Sequence, residues 1–193
     1  SPKHPYFEHA NVKLWIAYKD KQAVGRISAQ FDQLKSASDN ESIGYFGMFE
    51  CIDDTELAAK LLTEAELWLK GQGCEVIRGP FSLSINQESG LLVEGFDTPP
   101  YIMMGHAQPY YQTLLQENHY TKAKDLYAWF NQSEFSDPPA MQRLVERYKG
   151  RIVLRDIEAK QFERDIKIMM SIFNNAWANN WGFIPFTQNE FIH

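Results

Sequence analysis

Apolar and polar positions alternate at the start of the chain and change to helical spacing after residue 53. Val12 to Lys19 alternates and then becomes mixed, which reads as a strand. Lys19-Asp20-Lys21-Gln22 is a short turn, and Ala23 to Phe31 reads as the hairpin partner. Leu34 to Glu41 is rich in Ser, Asp and Asn and is expected to be a loop. Ile43 to Ile52 is a mainly apolar run, a third strand beside the hairpin; Gly44 and Gly47 within it point to a bulge or a close backbone approach. Asp53 and Asp54 end that run. From Thr55 to Lys70, Leu57, Leu61, Ala65, Trp68 and Leu69 fall on one helical face. Asp53 is the expected cap, with Glu56 three positions on closing a capping box. Gly71-Gln72-Gly73 stops the helix, and Cys74 to Arg78 resumes as a strand up to Gly79-Pro80. A strand–helix–strand of this length builds a parallel pair with a right-handed crossover.

Residues 79–105 are rich in Gly, Pro and Ser and show no regular element, and a loop of that length in a compact domain is usually functional or structurally elaborate. Pro109 starts a helix that stops near Asn118-His119. Tyr120 to Asn131 reads as a strand, with Leu126, Ala128 and Phe130 on one face and Tyr127 and Trp129 on the other. Asp137-Pro138-Pro139 marks a boundary. A short helix (141–148), a strand (151–157) and a long helix carrying Phe162, Ile166, Met169, Phe173 and Trp177 are expected after it. The chain thus divides into 1–136 and a segment 137–193 that opens a second strand–helix pattern.

Composition narrows the function classes. The 193 residues fit one domain, or one domain and part of another, with 44% hydrophobic and 23% charged residues. A net charge of −6 without a basic block argues against a nucleic-acid partner. No apolar run approaches the roughly 18–20 residues that span a bilayer, and no signal peptide is visible, so no membrane partner is expected. Two cysteines, Cys51 and Cys74, make no disulfide framework and suit a reducing cytoplasm. The start at Ser1 without Met, and the end soon after a long helical pattern, suggest a piece of a longer protein.

Each chemically suggestive position has a plainer alternative. Helix starts after such strands are where phosphorylated cofactors sit, yet this one carries Asp53, Asp54 and Glu56. Those acids could hold a metal or a cation; a capping box that matches the helix dipole explains them better, and no metal is expected. Arg78 at a strand end could hold a carboxylate or phosphate, with Asn86 and Glu88 positioning an amine, or all three could serve turns and ion pairs. Tyr110 and Tyr111 face that loop as proton donors or as hydrophobic packing. Cys51 has no neighbouring Lys or Arg and reads as an inert buried thiol. His4, His9, His106 and His119 lack metal spacing and read as surface or capping residues. The stretch 176–185, with Trp177, Trp181 and Phe183, is a contact surface, an acceptor pocket or core.

The order hairpin, strand, helix, strand, helix, strand resembles the GNAT-type acyl-CoA N-acyltransferase superfamily from its second strand onward. Ala23-Val24-Gly25-Arg26-Ile27 is similar to that family's third strand. Tyr111 through Tyr120 followed by Lys124-Asp125-Leu126-Tyr127 resembles its last helix and following strand. Glu50-Cys51-Ile52-Asp53-Asp54, Arg78-Gly79-Pro80, Gly95-Phe96-Asp97-Thr98-Pro99-Pro100 and Asn180-Trp181-Gly182-Phe183-Ile184-Pro185 resemble a bacterial branch with tandem GNAT-like repeats. The resemblance implies an α/β fold with a mixed, mostly antiparallel sheet and a splayed central parallel pair. It makes 1–136 a repeat lacking its first strand and helices, and 137–193 a linker and the opening of a second repeat. It also implies acyl transfer from acyl-CoA or acetyl-CoA to a small-molecule or peptide amine, and a homodimer or a pairing with the second repeat.

By the same resemblance, backbone groups of Phe49, Cys51 and Ile52 pair with the pantetheine arm, and Thr55 lies in the stretch facing the pyrophosphate. Glu88 and Tyr111 are the implied catalytic residues, and Arg78, Asn86 and Tyr110 the implied substrate contacts. The chain departs from the pattern at Ile52–Leu57, which has no glycine where a diphosphate approaches backbone N–H groups. The position matching the family's tyrosine acid, counted back from Tyr120, is Leu115. A non-catalytic GNAT-like binding or scaffold module is therefore the alternative function. A Fem-type transferase using aminoacyl-tRNA is a third reading, opposed by the acidic charge. The acyl-transfer reading requires the parallel strands to part widely enough for a thioester tail.

Overall fold

The computed structural model describes residues 3–38, 42–132, 136–153 and 155–193. Strands β1 (Ala10–Lys19), β2 (Gln22–Asp32), β3 (Ile43–Cys51) and β4 (Val76–Arg78) form one sheet in the order β1-β2-β3-β4. The first three are antiparallel, and β4 runs parallel to β3. The fold is α/β with a mixed sheet. Asp20 and Lys21 both take positive φ (50° and 69°), the geometry of a tight hairpin turn that matches strand twist. Where Leu34–Glu41 reads as a loop, α1 (Gln33–Ser38) is a short helix, and the rest of that stretch lies outside the described residues.

A bulge in β3 decides which residues reach the core. Arg26 pairs with Glu50 but Ser28 pairs with Gly47, so β3 uses one extra residue, and Met48 takes φ 45°. Without it, strict alternation would send Phe49 and Cys51 to the face opposite Phe46. With it, Phe46, Phe49 and Cys51 all enter the cluster made with the helix α2 (Thr55–Gly71). The glycine expectation is met at Gly47, which adjoins the bulge and faces another backbone, whereas Gly44 faces side chains. A Cβ on Gly44 would lie 2.5 Å from Leu69 Cδ2, and one on Gly47 only 1.7 Å from Phe81 O.

Helix α2 buries Ala58, Leu61, Leu62, Ala65 and Leu69 against the sheet. Its cap is Asp54, not Asp53: the Asp54 carboxylate accepts from Leu57 N at 3.0 Å. Gly73 (φ 86°) closes its C-terminus as a residue free of Cβ can. Helix α3 (Tyr111–Glu117) lies beside α2 and buries Tyr111, Leu114 and Leu115. Between them, 79–105 holds only the two-residue strands β5 (Phe81–Ser82) and β6 (Glu88–Ser89), paired with each other.

Two expected strands do not form. Residues 120–132 have no ladder partner among the described residues; Tyr120 N bonds back to Leu115 O, and the chain then runs exposed. No strand appears at 151–157, of which Leu154 lies outside the described residues. Helices α4 (Pro139–Tyr148), α5 (Phe162–Trp177) and α6 (Gln188–Ile192) follow. Phe173 packs with Trp177, Phe183, Phe186 and Phe191 into a small aromatic cluster. The end of the chain docks on the first part of the chain: Trp181 lies against Phe81 of β5, and Asn189 donates to Glu8, just before β1, at 2.8 Å. His9, read as a surface or capping residue, is instead buried, with one ring nitrogen 3.1 Å from Asp32 and the other 3.1 Å from Glu190 of α6. Burial pushes the Asp32 carboxyl above its usual range, opposed by His9 and the Leu34 N–H. No helix among the described residues is long and apolar enough to cross a membrane.

Asp165 fastens the start of α5. Arg155 donates two hydrogen bonds to it at 2.7 Å, and Glu158 N donates a third at 3.1 Å. The guanidinium, then the amide, hold this carboxyl well below the usual carboxylate range. A depressed value in the folded chain stabilises it fully above the unfolded value of about 3.9, and that contribution drains away as pH falls below it. Asp165→Asn should therefore lower the melting temperature at pH 6 and narrow its gap from the parent as acid is added toward pH 3. A gap independent of pH would show that the ionised carboxylate is not what fastens this turn.

Candidate functional site: the cleft beside strand β3

The pairing of β3 with β4 lasts three residues, Ile43 with Val76, Gly44 with Ile77 and Tyr45 with Arg78. β4 ends there, but the chain stays close to β3, with Gly79 against Phe46, Phe81 against Gly47 and Ser82 Oγ accepting from Met48 N. The chain from Pro80 onward then forms the far wall of a cleft of about 560 Å³, within the range that holds small ligands. Met48, Phe49 and Glu50 line its β3 side, Glu88, Leu91 and Leu92 the loop side, and Ile102, Met103, His106 and Ala107 the remainder. The lining combines polar residues, Arg26, Glu50, Gln87 and Glu88, with apolar ones, Leu91, Leu92, Ile102 and Met103, which suit an alkyl chain.

The exposed edge of β3 is closed at both ends by side chains. Ser82 Oγ accepts from Met48 N at 3.0 Å, which pins the bulge. At the other end two tyrosines bracket Cys51: Tyr110 donates its hydroxyl to Cys51 O at 2.9 Å, and Cys51 N donates to Tyr111 Oη at 3.2 Å. They take the place of the missing ladder partner. Burial, ahead of the opposing Cys51 N–H bond, pushes the Tyr111 phenol above its usual range, so it keeps its proton. Burial and then Asp54 and Asp53 push the Cys51 thiol up to about 11, which makes it inert at neutral pH.

The sequence-expected residues fall into three groups. Phe49, Glu88 and Tyr111 meet in the cleft. Tyr110 lies at its Cys51 end. There Cys51 has both backbone groups paired, Ile52 N is taken by Val24 O at 3.0 Å, and Thr55 donates to Glu117 at 2.6 Å. Arg78 and Asn86 go elsewhere. Asn86 donates to Ile184 O at 3.0 Å, and Arg78 lies over the Trp181 ring at 5.8 Å in a second cleft with Lys35, Asn179 and Asn180. The start of α2 is as acidic in space as in sequence, with Asp54 already occupying Leu57 N. Among the described residues no cluster could hold a metal ion. Sequence reading missed Ser82, Gln87 and the cleft position of His106, since each reaches the cleft only through the folding of the long loop.

No protein-family profile and no solved structure matches the sequence. Two curated proteins do. One is "Protein YghO" of Escherichia coli (strain K12), 44% identical over 192 residues, 99% of this chain and 49% of that protein. The other is "Bacterial ceramide synthase" of Caulobacter vibrioides (strain NA1000 / CB15N), 41% identical over 193 residues, 98% of this chain and 50% of that protein. The chain spans about half the length of the curated relatives it matches.

Proposed function

We propose that this chain forms the acyl-transfer cleft of a GNAT-like N-acyltransferase that joins the acyl group of an acyl-CoA to a long-chain amine. The observation that carries the reading is the cleft along the Met48–Glu50 stretch of β3, past the end of the β4 ladder, whose lining offers both polar and apolar residues. The similarity to a bacterial ceramide synthase supports it, because a ceramide is the amide of a fatty acid and a long-chain amino alcohol. The α/β fold with its mixed sheet agrees with the same reading.

In this reading the amine nitrogen attacks the thioester carbonyl carbon. The carbonyl oxygen gathers charge against the Phe49 N–H, which strand alternation places on the same outer edge as the Cys51 N–H. Glu88 takes the proton released by the nitrogen. As the C–S bond breaks, the departing thiolate receives the proton of Tyr111, whose oxygen accepts from Cys51 N and so leaves its own O–H for donation. The products are the amide and the free thiol of CoA. The tyrosine bracket and the acidic start of α2 favour a second reading, a binding module in which the usual cofactor arm is excluded.

Calorimetric titration with acetyl-CoA and palmitoyl-CoA, with mass spectrometry of a sphinganine reaction, tests both. The proteins are the chain itself and a chimera in which it replaces the matching half of the Escherichia coli relative. Binding tighter than about 1 mM together with N-palmitoyl sphinganine is the expected result. Weaker binding by both polypeptides, with no amide formed, overturns the enzyme reading.

A further inference from the structure

The C-terminal side of the molecule carries strand and helix faces that nothing covers among the described residues. Residues 121–131 alternate as a strand does, yet Leu126 is 56% exposed, Trp129 81% and Phe130 78%. A strand apolar on both faces is the pattern of a buried strand inside a sheet, and it cannot form alone because its N–H and C=O groups need a ladder partner. Helix α4 repeats the situation. Met141, Leu144, Val145 and Tyr148 fall on one face at i, i+3, i+4 and i+7, but the helix buries none of its residues. Clusters of exposed apolar residues of this kind mark interaction sites.

We propose that this surface docks the half of the protein that the relatives carry and this chain does not span. That half would supply a strand to pair with 121–131 and cover the Met141–Tyr148 stripe of α4. The choice of occupant rests on two observations that do not depend on the acyl-transfer reading. Both relatives match at almost the full length of this chain and only half of their own, so each carries a second polypeptide half always at hand. The sequence of 121–131 also encodes a strand, and among the described residues none of the strands of the sheet β1-β2-β3-β4 pairs with it.

Hydrogen exchange read by mass spectrometry tests this on the isolated chain and on the chimera described above. Amides of 121–131 and of α4 should exchange about 100-fold or more slowly in the chimera, while β1–β3 stay protected in both. Replacing Leu144 and Val145 together by Asp in the chimera should restore fast exchange at 121–131 and leave β1–β3 unchanged. Because a hybrid interface can fail, the intact Escherichia coli relative is measured at the aligned positions. Fast exchange there overturns the proposal. So does self-association of the isolated chain that protects the same peptides, which would put a second copy on this face.

Discussion

Gly47→Ala is expected to leave no cooperatively folded protein at 37 °C. A Cβ at Gly47 would lie 1.7 Å from Phe81 O, 2.4 Å from Phe81 C and 3.1 Å from Ser82 N. All three are backbone atoms, which cannot rotate aside as a side chain can. Relief would require β5 to lift from β3, breaking the Ser82 Oγ bond to Met48 N and unseating Phe81 from the cluster with Ile43 and Tyr45. Gly44 is the contrast. Its nearest obstacle is the methyl end of Leu69 at 2.5 Å, which has rotamers to yield into. Gly44→Ala should cost about 1–3 kcal/mol, the range of core overpacking. Gly47→Ala should exceed about 4–5 kcal/mol, a large part of a domain's whole stability. Urea and thermal unfolding followed by circular dichroism separate the two. A Gly47→Ala protein melting within a few degrees of the parent would mean that β5 does not press on β3 as described.

That clash also shows what could be read from the residues and what could not. Local patterns were legible where neighbours in sequence settle the outcome. The hairpin, the α2 stripe and the need for small residues in β3 all stand in the chain as written. The turn at Asp20-Lys21 was readable from its position between two strands rather than from its residue types, since neither is glycine although both have positive φ. The bulge was anticipated from the glycines of β3, but its place at Met48, directly after Gly47, was not, because methionine in that conformation has no compositional signature.

Long-range contacts decided the rest. Glu88, Phe49 and Tyr111 converge because loop and helix both return to the same strand edge. Arg78 and Asn86 are drawn away by Trp181 and Ile184, roughly a hundred residues later in the chain. His9, Asp32 and Glu190 meet from opposite ends, so no spacing rule could join them. The strand written at 121–131 was legible as a tendency but not as a structure, because strand formation needs a partner that the local sequence does not contain.

Glu88→Gln is expected to slow amide formation by about 10²–10⁴-fold, the usual contribution of a positioned base, with little change in the KM for acyl-CoA. Glutamine keeps the size and the hydrogen-bonding length of the side chain, and Glu88 is an exposed residue of a two-residue strand. The melting temperature should therefore stay within about 2 °C of the parent, as for most surface substitutions. Tyr111→Phe should behave differently. It removes the acceptor for the buried Cys51 N–H, so it should lower both the rate and the stability, the latter by about 1–3 kcal/mol for an orphaned amide. The pair of variants therefore separates chemistry from scaffolding. His106→Gln, in the same cleft, is the internal comparison. If Glu88→Gln keeps its rate within threefold while His106→Gln loses it, the proton goes to the imidazole and the roles assigned along this cleft must be redrawn around His106.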